Sequence, residues 1–148
     1  MKLMKKILAV MLTAVMCFGM FSVQTFAFGG FTSTVSIYDA NLYSTLTVSG
    51  STTNGAKLTL YSDVQDNIIY DTLYLKQYLE VKSILGWSKY NAGSTFSKRL
   101  RNTASISMES IEVDIHAGTY RVYCEVTATP KSGAQQTIKF YSNECKVS

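Results

Sequence analysis

The most constraining feature of this sequence is a side-chain period of two that recurs along most of its length. Leu42, Leu46 and Val48 alternate with Tyr43, Thr45 and Thr47, and Leu58 and Leu60 alternate with Thr59 and Tyr61. Leu73, Leu75, Leu79 and Val81 alternate with Tyr74, Lys76, Tyr78 and Glu80. Ile111, Val113 and Ile115 stand against Glu112 and Asp114, while Tyr120, Val122, Cys124 and Val126 stand against Arg121, Tyr123, Glu125 and Thr127. Ile138 and Phe140 close the series against Lys139 and Tyr141, and Phe31, Val35 and Ile37 open it against Thr32, Thr34 and Ser36. Successive side chains of a strand point to opposite faces, so such runs, rich in Thr, Val, Ile and Tyr, read as half-buried strands. Residues 69–82 fit a helical period poorly and are read as strand too.

Turn-forming residues separate the runs: Gly50 with Asn54-Gly55, Asp66-Asn67, Asn91-Ala92-Gly93, Ala117-Gly118, and Pro130-Lys131-Ser132-Gly133. Short alternating runs at this spacing predict an all-β fold, an immunoglobulin-like β-sandwich of seven to eight antiparallel strands. No repeat or linker divides residues 28–148, so they are expected to form one domain. Hydrophobic residues make up 47% of the chain, too many for disorder.

The first 27 residues read differently. Lys2, Lys5 and Lys6 precede an uncharged apolar run over 7–23, and Thr25-Phe26-Ala27 supplies small residues for cleavage. That is the three-part pattern of a secretory signal peptide, which makes the protein secreted, extracellular or loosely held at the cell wall, with no membrane span once cleaved. Cleavage would remove three of the 14 basic residues and none of the 10 acidic ones. The +4 of the whole chain is therefore no argument for a nucleic-acid partner.

Cysteine usage follows the same logic. Cys17 lies in the apolar run behind the bulky Met16, a poor lipidation site. Cys124 and Cys145 are the two thiols left in an exported chain and are expected to form a disulfide, the alternative being two unpaired buried thiols.

Catalytic patterns are scarce. His116 is the single histidine and sits at a turn signal, and no Gly-x-Ser-x-Gly elbow, phosphate loop or dinucleotide fingerprint occurs. Asp63, Asp66 and Asp71 cluster around Asn67, but EF-hand spacing is missing and such residues also simply make turns. The expectation is a non-enzyme with no cofactor and no metal.

Tyrosine is the abundant chemical resource: ten residues, all beyond position 27. If the strands around 73–82, 120–127 and 137–141 share a sheet, alternation sends Tyr74, Tyr78, Tyr123 and Tyr141 to one outer face. Tyrosine offers apolar area with a polar tip at low entropic cost, which suits a binding surface. The competing reading is cross-strand stabilisation of the sheet.

The chain also resembles small secreted immunoglobulin-like or fibronectin-type-III-like proteins of Gram-positive bacteria. The resemblance runs over residues 42–147. It rests on the Leu-rich strand, Gly86-Trp87-Ser88, Gly118-Thr119-Tyr120-Arg121-Val122 and a final hairpin. It implies a fold and an extracellular address and assigns no functional residue. Separately, Trp87, close behind the Leu-rich strand, is expected at the core or its edge, and Tyr120, after the 117–118 turn and four residues before Cys124, is a partial match to a tyrosine corner. Together these readings favour a secreted non-catalytic binding or adhesion module whose partner is an extracellular protein or glycan. The alternatives are a small secreted toxin, bacteriocin-like or membrane-active protein, and a compact hydrolase built on a carboxylate pair.

Overall fold

The computed structural model describes residues 36–50 and 55–148; the expected signal peptide, Cys17 and the first alternating run up to Val35 lie outside the described residues. Ile37–Asp39 form a 3-10 turn, followed by seven antiparallel strands: β1 (Asn41–Ser49), β2 (Ala56–Ser83), β3 (Gly86–Lys89), β4 (Thr95–Ile115), β5 (Gly118–Thr129), β6 (Gln136–Tyr141) and β7 (Cys145–Val147). The protein is all-β, as the alternation implies. Among the described residues, no helix is long and apolar enough to cross a membrane.

Two strands are long, one of them running through a turn signal, and their folding over creates the sandwich. β2 runs for 28 residues and β4 for 21. They pair from Ala56 opposite Ile115 to Tyr78 opposite Thr95, but the register jumps between Gln65 and Tyr70 on β2. The Asp66-Asn67 signal marks this corner rather than an end of strand, and Tyr70 Oη donates to the Asp66 carboxylate there. Asn102 of β4, at φ 49°, turns the partner strand alongside it. Beyond the corner β2 lies back over its own first half. One layer contains β1, residues 56–65 of β2 and residues 105–115 of β4. The other contains residues 95–103 of β4, residues 70–83 of β2, then β5 with β6 and β7 along its far edge. This three-against-four arrangement is the immunoglobulin-like layout.

Between the layers lie two apolar clusters. The first joins Leu46, Leu58 and Leu60 to Leu79, Val122 and Cys124; the second joins Ile37, Val64 and Ile106 to Leu73, Leu75 and Val126. A polar knot separates them. Ser62 Oγ donates to Gln77 Oε1, which ties the two halves of β2 together across the sandwich. Gln77 Nε2 donates to Leu60 O at 3.3 Å and Ser110 Oγ at 2.8 Å, and the Cys124 thiol bridges Ser62 and Ser44. No buried side-chain polar atom among the described residues lacks a partner. Sliding β2 against itself would leave these groups unsatisfied, at about 1–3 kcal/mol each, so the knot fixes which residues face each other.

The tyrosine corner is present. Tyr120 is fully buried and its hydroxyl donates to His116 O at 2.9 Å. A Cβ at Gly118 would lie 3.1–3.2 Å from the Tyr120 ring, so close packing requires a glycine there. His116 contributes its backbone carbonyl to this contact, while its side chain is exposed.

Three expectations are corrected. Cys124 and Cys145 are both free. Cys145 pairs with Tyr120, four residues along β5 from Cys124; at 3.3–3.4 Å per residue that is about 13 Å, whereas a bridge needs Cα atoms within about 7 Å. Burial holds the Cys124 thiol above its ordinary pKa, partly opposed by its hydrogen bonds to Ser44 and Ser62. Ile111 and Val113 do not share the inner face with Ile115: they are exposed while Glu112 is buried. The register slips between Ala56 and Leu58, and Asp114 at φ 56° reverses the alternation before Ile115. Trp87 is not in the core; it lies half-buried on an outer face.

Candidate binding face

The outer face of the four-strand layer carries the sequence-derived candidates, and register decides how they meet. Tyr78 on β2 is directly opposite Tyr123 on β5, and Tyr123 is directly opposite Tyr141 on β6. Three strands thus place three rings in one row. Tyr78 and Tyr123 stack with centroids 4.6 Å apart and planes within 12°. Tyr123 and Tyr141 meet edge to face at 5.7 Å and 78°. Tyr74 stands apart from this row, four residues along β2 and opposite Arg99 and Thr127. The face therefore unites Tyr78, Tyr123 and Tyr141 and leaves Tyr74 in a different neighbourhood.

Cations complete the row. Arg121 is held by Glu80 at 2.7 Å and lies between two rings, its Cζ 4.4 Å from the Trp87 centroid and 4.0 Å from that of Tyr141. Lys82 Nζ sits 5.4 Å from the same indole. Lys89 lies over Tyr78 at 5.4 Å, Lys139 over Tyr123 at 6.0 Å, and Arg99 over Tyr74 at 5.2 Å. Each candidate tyrosine thus has a cation over its ring, an attraction of about 0.5–1 kcal/mol at exposed sites. The sequence reading placed Trp87 at the core or its edge and gave Arg121 no role beyond an ordinary mixed surface. Their pairing depends on the tight β2–β3 hairpin, which sets Trp87 opposite Lys82 on one edge of β2 while β5 sets Arg121 opposite Glu80 on the other.

The next row along is an ion ladder. Lys76 binds Glu125 at 2.7 Å, and Tyr123 Oη donates to the same carboxylate at 2.8 Å. The Lys76 ammonium and the Tyr123 hydroxyl hold Glu125 below its usual range, and Glu125 in turn holds Lys76 above its own. Burial, and after it the hydrogen bond to Glu125, pushes the Tyr123 hydroxyl well above the usual tyrosine range. Burial also raises Tyr78.

Beyond this ladder lies a shallow open depression lined by Thr72, Tyr74, Arg99, Thr127, Thr129 and Gln135, with a volume of about 390 Å³. It is the place where Tyr74 belongs.

The aspartates singled out in the sequence go to local structure. Asp63 accepts from Gln65, and Asp66 accepts from Tyr70 and the Asn67 amide. Among the described residues, no three His, Cys, Asp or Glu side chains converge on a metal-sized site.

No protein-family model matches the chain, and no curated protein matches it.

Proposed function

We propose that this protein is a secreted, non-catalytic extracellular binding module that presents the Tyr74, Tyr78, Tyr123 and Tyr141 face to its partner. The observation that carries the reading is the in-register row of Tyr78, Tyr123 and Tyr141 ending in Arg121 clamped between Tyr141 and Trp87. Rigid aromatic and arginine side chains on a sheet lose little freedom on binding, and Tyr, Trp and Arg dominate binding hot spots. The basic start and apolar run of the first 27 residues support export. Tyr141 is 45% exposed and Tyr123 only 8%, so Tyr141 is the residue to test. Retention of the purified protein on a glycan array and on immobilised surface proteins is expected to fall at least tenfold for Tyr141→Ala with Lys139→Gln. Tyr43→Ala, on the opposite layer, is the control. Equal losses for both variants, or none for the first, would refute the reading.

One observation favours the membrane-active alternative. Ile84 and Leu85, the two residues at the tip of the β2–β3 hairpin, are wholly exposed, and Trp87 and Lys82 flank them. That reading requires leakage of dye-loaded phosphatidylglycerol vesicles, lost in the Ile84→Ser, Leu85→Ser variant.

A further inference from the structure

Charge is divided between the surfaces of this domain in a way its near-neutral composition conceals. Strand register places Lys76, Lys82 and Arg121 on the outer face of the four-strand layer, and each is neutralised there by Glu125, Glu144 or Glu80. Lys89, Arg99, Arg101, Lys139 and Lys146 share that face by register and form no salt bridge among the described residues. Asp71 lies beside the depression, accepting from Thr72 Oγ1 at 3.4 Å; the remaining cations, Lys57, Lys98 and Lys131, are outnumbered by six other carboxylates, including Asp63, Glu109 and Asp114. One face is thus strongly positive and the rest of the domain negative. A face of one sign attracts and orients a ligand of the other.

The rings themselves are occupied. Tyr78 is stacked on Tyr123 and carries Lys89, Tyr141 carries Arg121, and Tyr74 carries Arg99. What the face offers a ligand is therefore a set of oriented cations more than bare rings for a neutral sugar. The depression beside Tyr74 is lined by Arg99 together with Thr72, Thr127, Thr129 and Gln135. Arg101 is opposite Thr72, one of the lining residues, and two residues from Arg99 on the same strand. A guanidinium pairs bidentately with a carboxylate or sulfate. Clustered hydroxyl and amide groups suit a ligand that itself carries hydroxyls, and the depression holds no apolar side chain besides Tyr74 for an acidic peptide to fill.

We infer that this face binds an extended acidic polysaccharide. Arg99 and Arg101 take a carboxylate or sulfate in the depression, the threonines and Gln135 take sugar hydroxyls, and Lys139, Lys89 and Lys146 take further anionic groups along the chain. The inference rests on the binding-module reading and names its ligand class.

The test titrates the purified protein with alginate and heparin, with neutral dextran, with poly-glutamate, and with phosphatidylglycerol vesicles. The expected result is binding to an acidic polysaccharide at least tenfold tighter than to dextran, weakening severalfold from 50 to 200 mM salt. Arg99→Gln with Arg101→Gln is expected to cost at least tenfold, and Lys57→Gln with Lys131→Gln less than twofold. Both arginines are exposed; an unchanged melting temperature confirms that the double variant folds. Dextran bound as tightly as alginate and heparin, or arginine variants that bind like wild type, would overturn the inference. If Tyr141→Ala with Lys139→Gln still lowers retention on the array at least tenfold, the binding-module reading survives that failure. Poly-glutamate bound equally well, with the same arginine dependence, would assign the face to an acidic peptide and overturn the glycan. Vesicle binding lost in the Ile84→Ser, Leu85→Ser variant, with no polysaccharide binding, would assign it to lipid and overturn it as well.

Discussion

The two outer faces of the sandwich are built from the same kinds of residue and differ in how register combines them. On the three-strand layer, Tyr43 and Tyr61 lie on neighbouring strands with ring centroids 6.2 Å apart and tilted 59°. Around them are Thr45, Thr47, Thr59, Asp63 and Glu109, with Ile111 and Val113 exposed at the β4 edge. On the four-strand layer, tyrosines fall directly opposite one another on three consecutive strands, and an excess of cations, three of them paired with Glu80, Glu125 and Glu144, fills the gaps. One face is a solvated sheet surface. The other is a bonded array in which each ring orders a charge. Tyrosine content does not separate them; cross-strand pairing and the placement of charge do.

The sharpest test of that contrast removes one ring from each face. Tyr123 is 8% exposed, stacked on Tyr78, in edge contact with Tyr141 and bonded to Glu125. Tyr123→Ala is expected to lower the unfolding free energy by about 3 kcal/mol. Tyr61→Ala, which loses one looser ring contact, is expected to cost about 1 kcal/mol. Urea denaturation of both variants reads the difference, and equal losses would dissolve the distinction between the faces.

Much of this architecture was legible because alternation reports burial directly. Leu58 and Leu60, Leu73, Leu75 and Leu79, and Val122, Cys124 and Val126 all point inward as their spacing requires. The sending of Tyr74, Tyr78, Tyr123 and Tyr141 to one outer face followed from the same rule. What stayed hidden depends on the backbone or on partners distant in the chain. The bulge at Asp114 reverses the pattern within a run that reads as unbroken, so Ile111 and Val113 were placed on the wrong side. Asp66-Asn67 has the chemistry of a turn, yet a corner inside a continuous strand uses the same residues. Thr95 to Arg101 shows little alternation because it forms the outer edge of its layer. Counting cysteines suggested a bridge that register forbids. Gln77, the hub of the buried polar knot, carries no sequence mark, since its partners Ser62 and Ser110 reach it only once the sandwich closes.

A second, smaller effect concerns pH. Glu125 has its folded-state pKa lowered, chiefly by Lys76 and then by Tyr123. A carboxylate of this kind contributes stability above its unfolded pKa, near 4.3, and loses that contribution as pH falls through the lower folded value. The stability difference between wild type and Glu125→Gln is therefore expected to stay constant from pH 8 to about pH 5 and to shrink below that. On the opposite face, Asp63 accepts a hydrogen bond from the Gln65 side-chain amide. A difference that widens on acidification would contradict the Lys76–Glu125–Tyr123 arrangement.

The smallest effect probes the solvated face where alternation misled. Ile111 and Val113 are 43% and 61% exposed, while Ile115, two residues further on, is 2% exposed. An unbroken strand would have buried all three. Ile111→Thr with Val113→Thr keeps β-branching, so strand propensity is retained and little apolar burial is lost. The pair is expected to change stability by no more than about 0.5 kcal/mol, as surface substitutions generally do. Ile115→Thr, by contrast, puts a hydroxyl into the cluster around Leu58 and Tyr120 and is expected to cost about 2 kcal/mol. Thermal melts of the two variants measure where the reversal falls. A large loss from the Ile111/Val113 pair would mean that β4 keeps its alternation through Asp114 and that the bulge is misplaced.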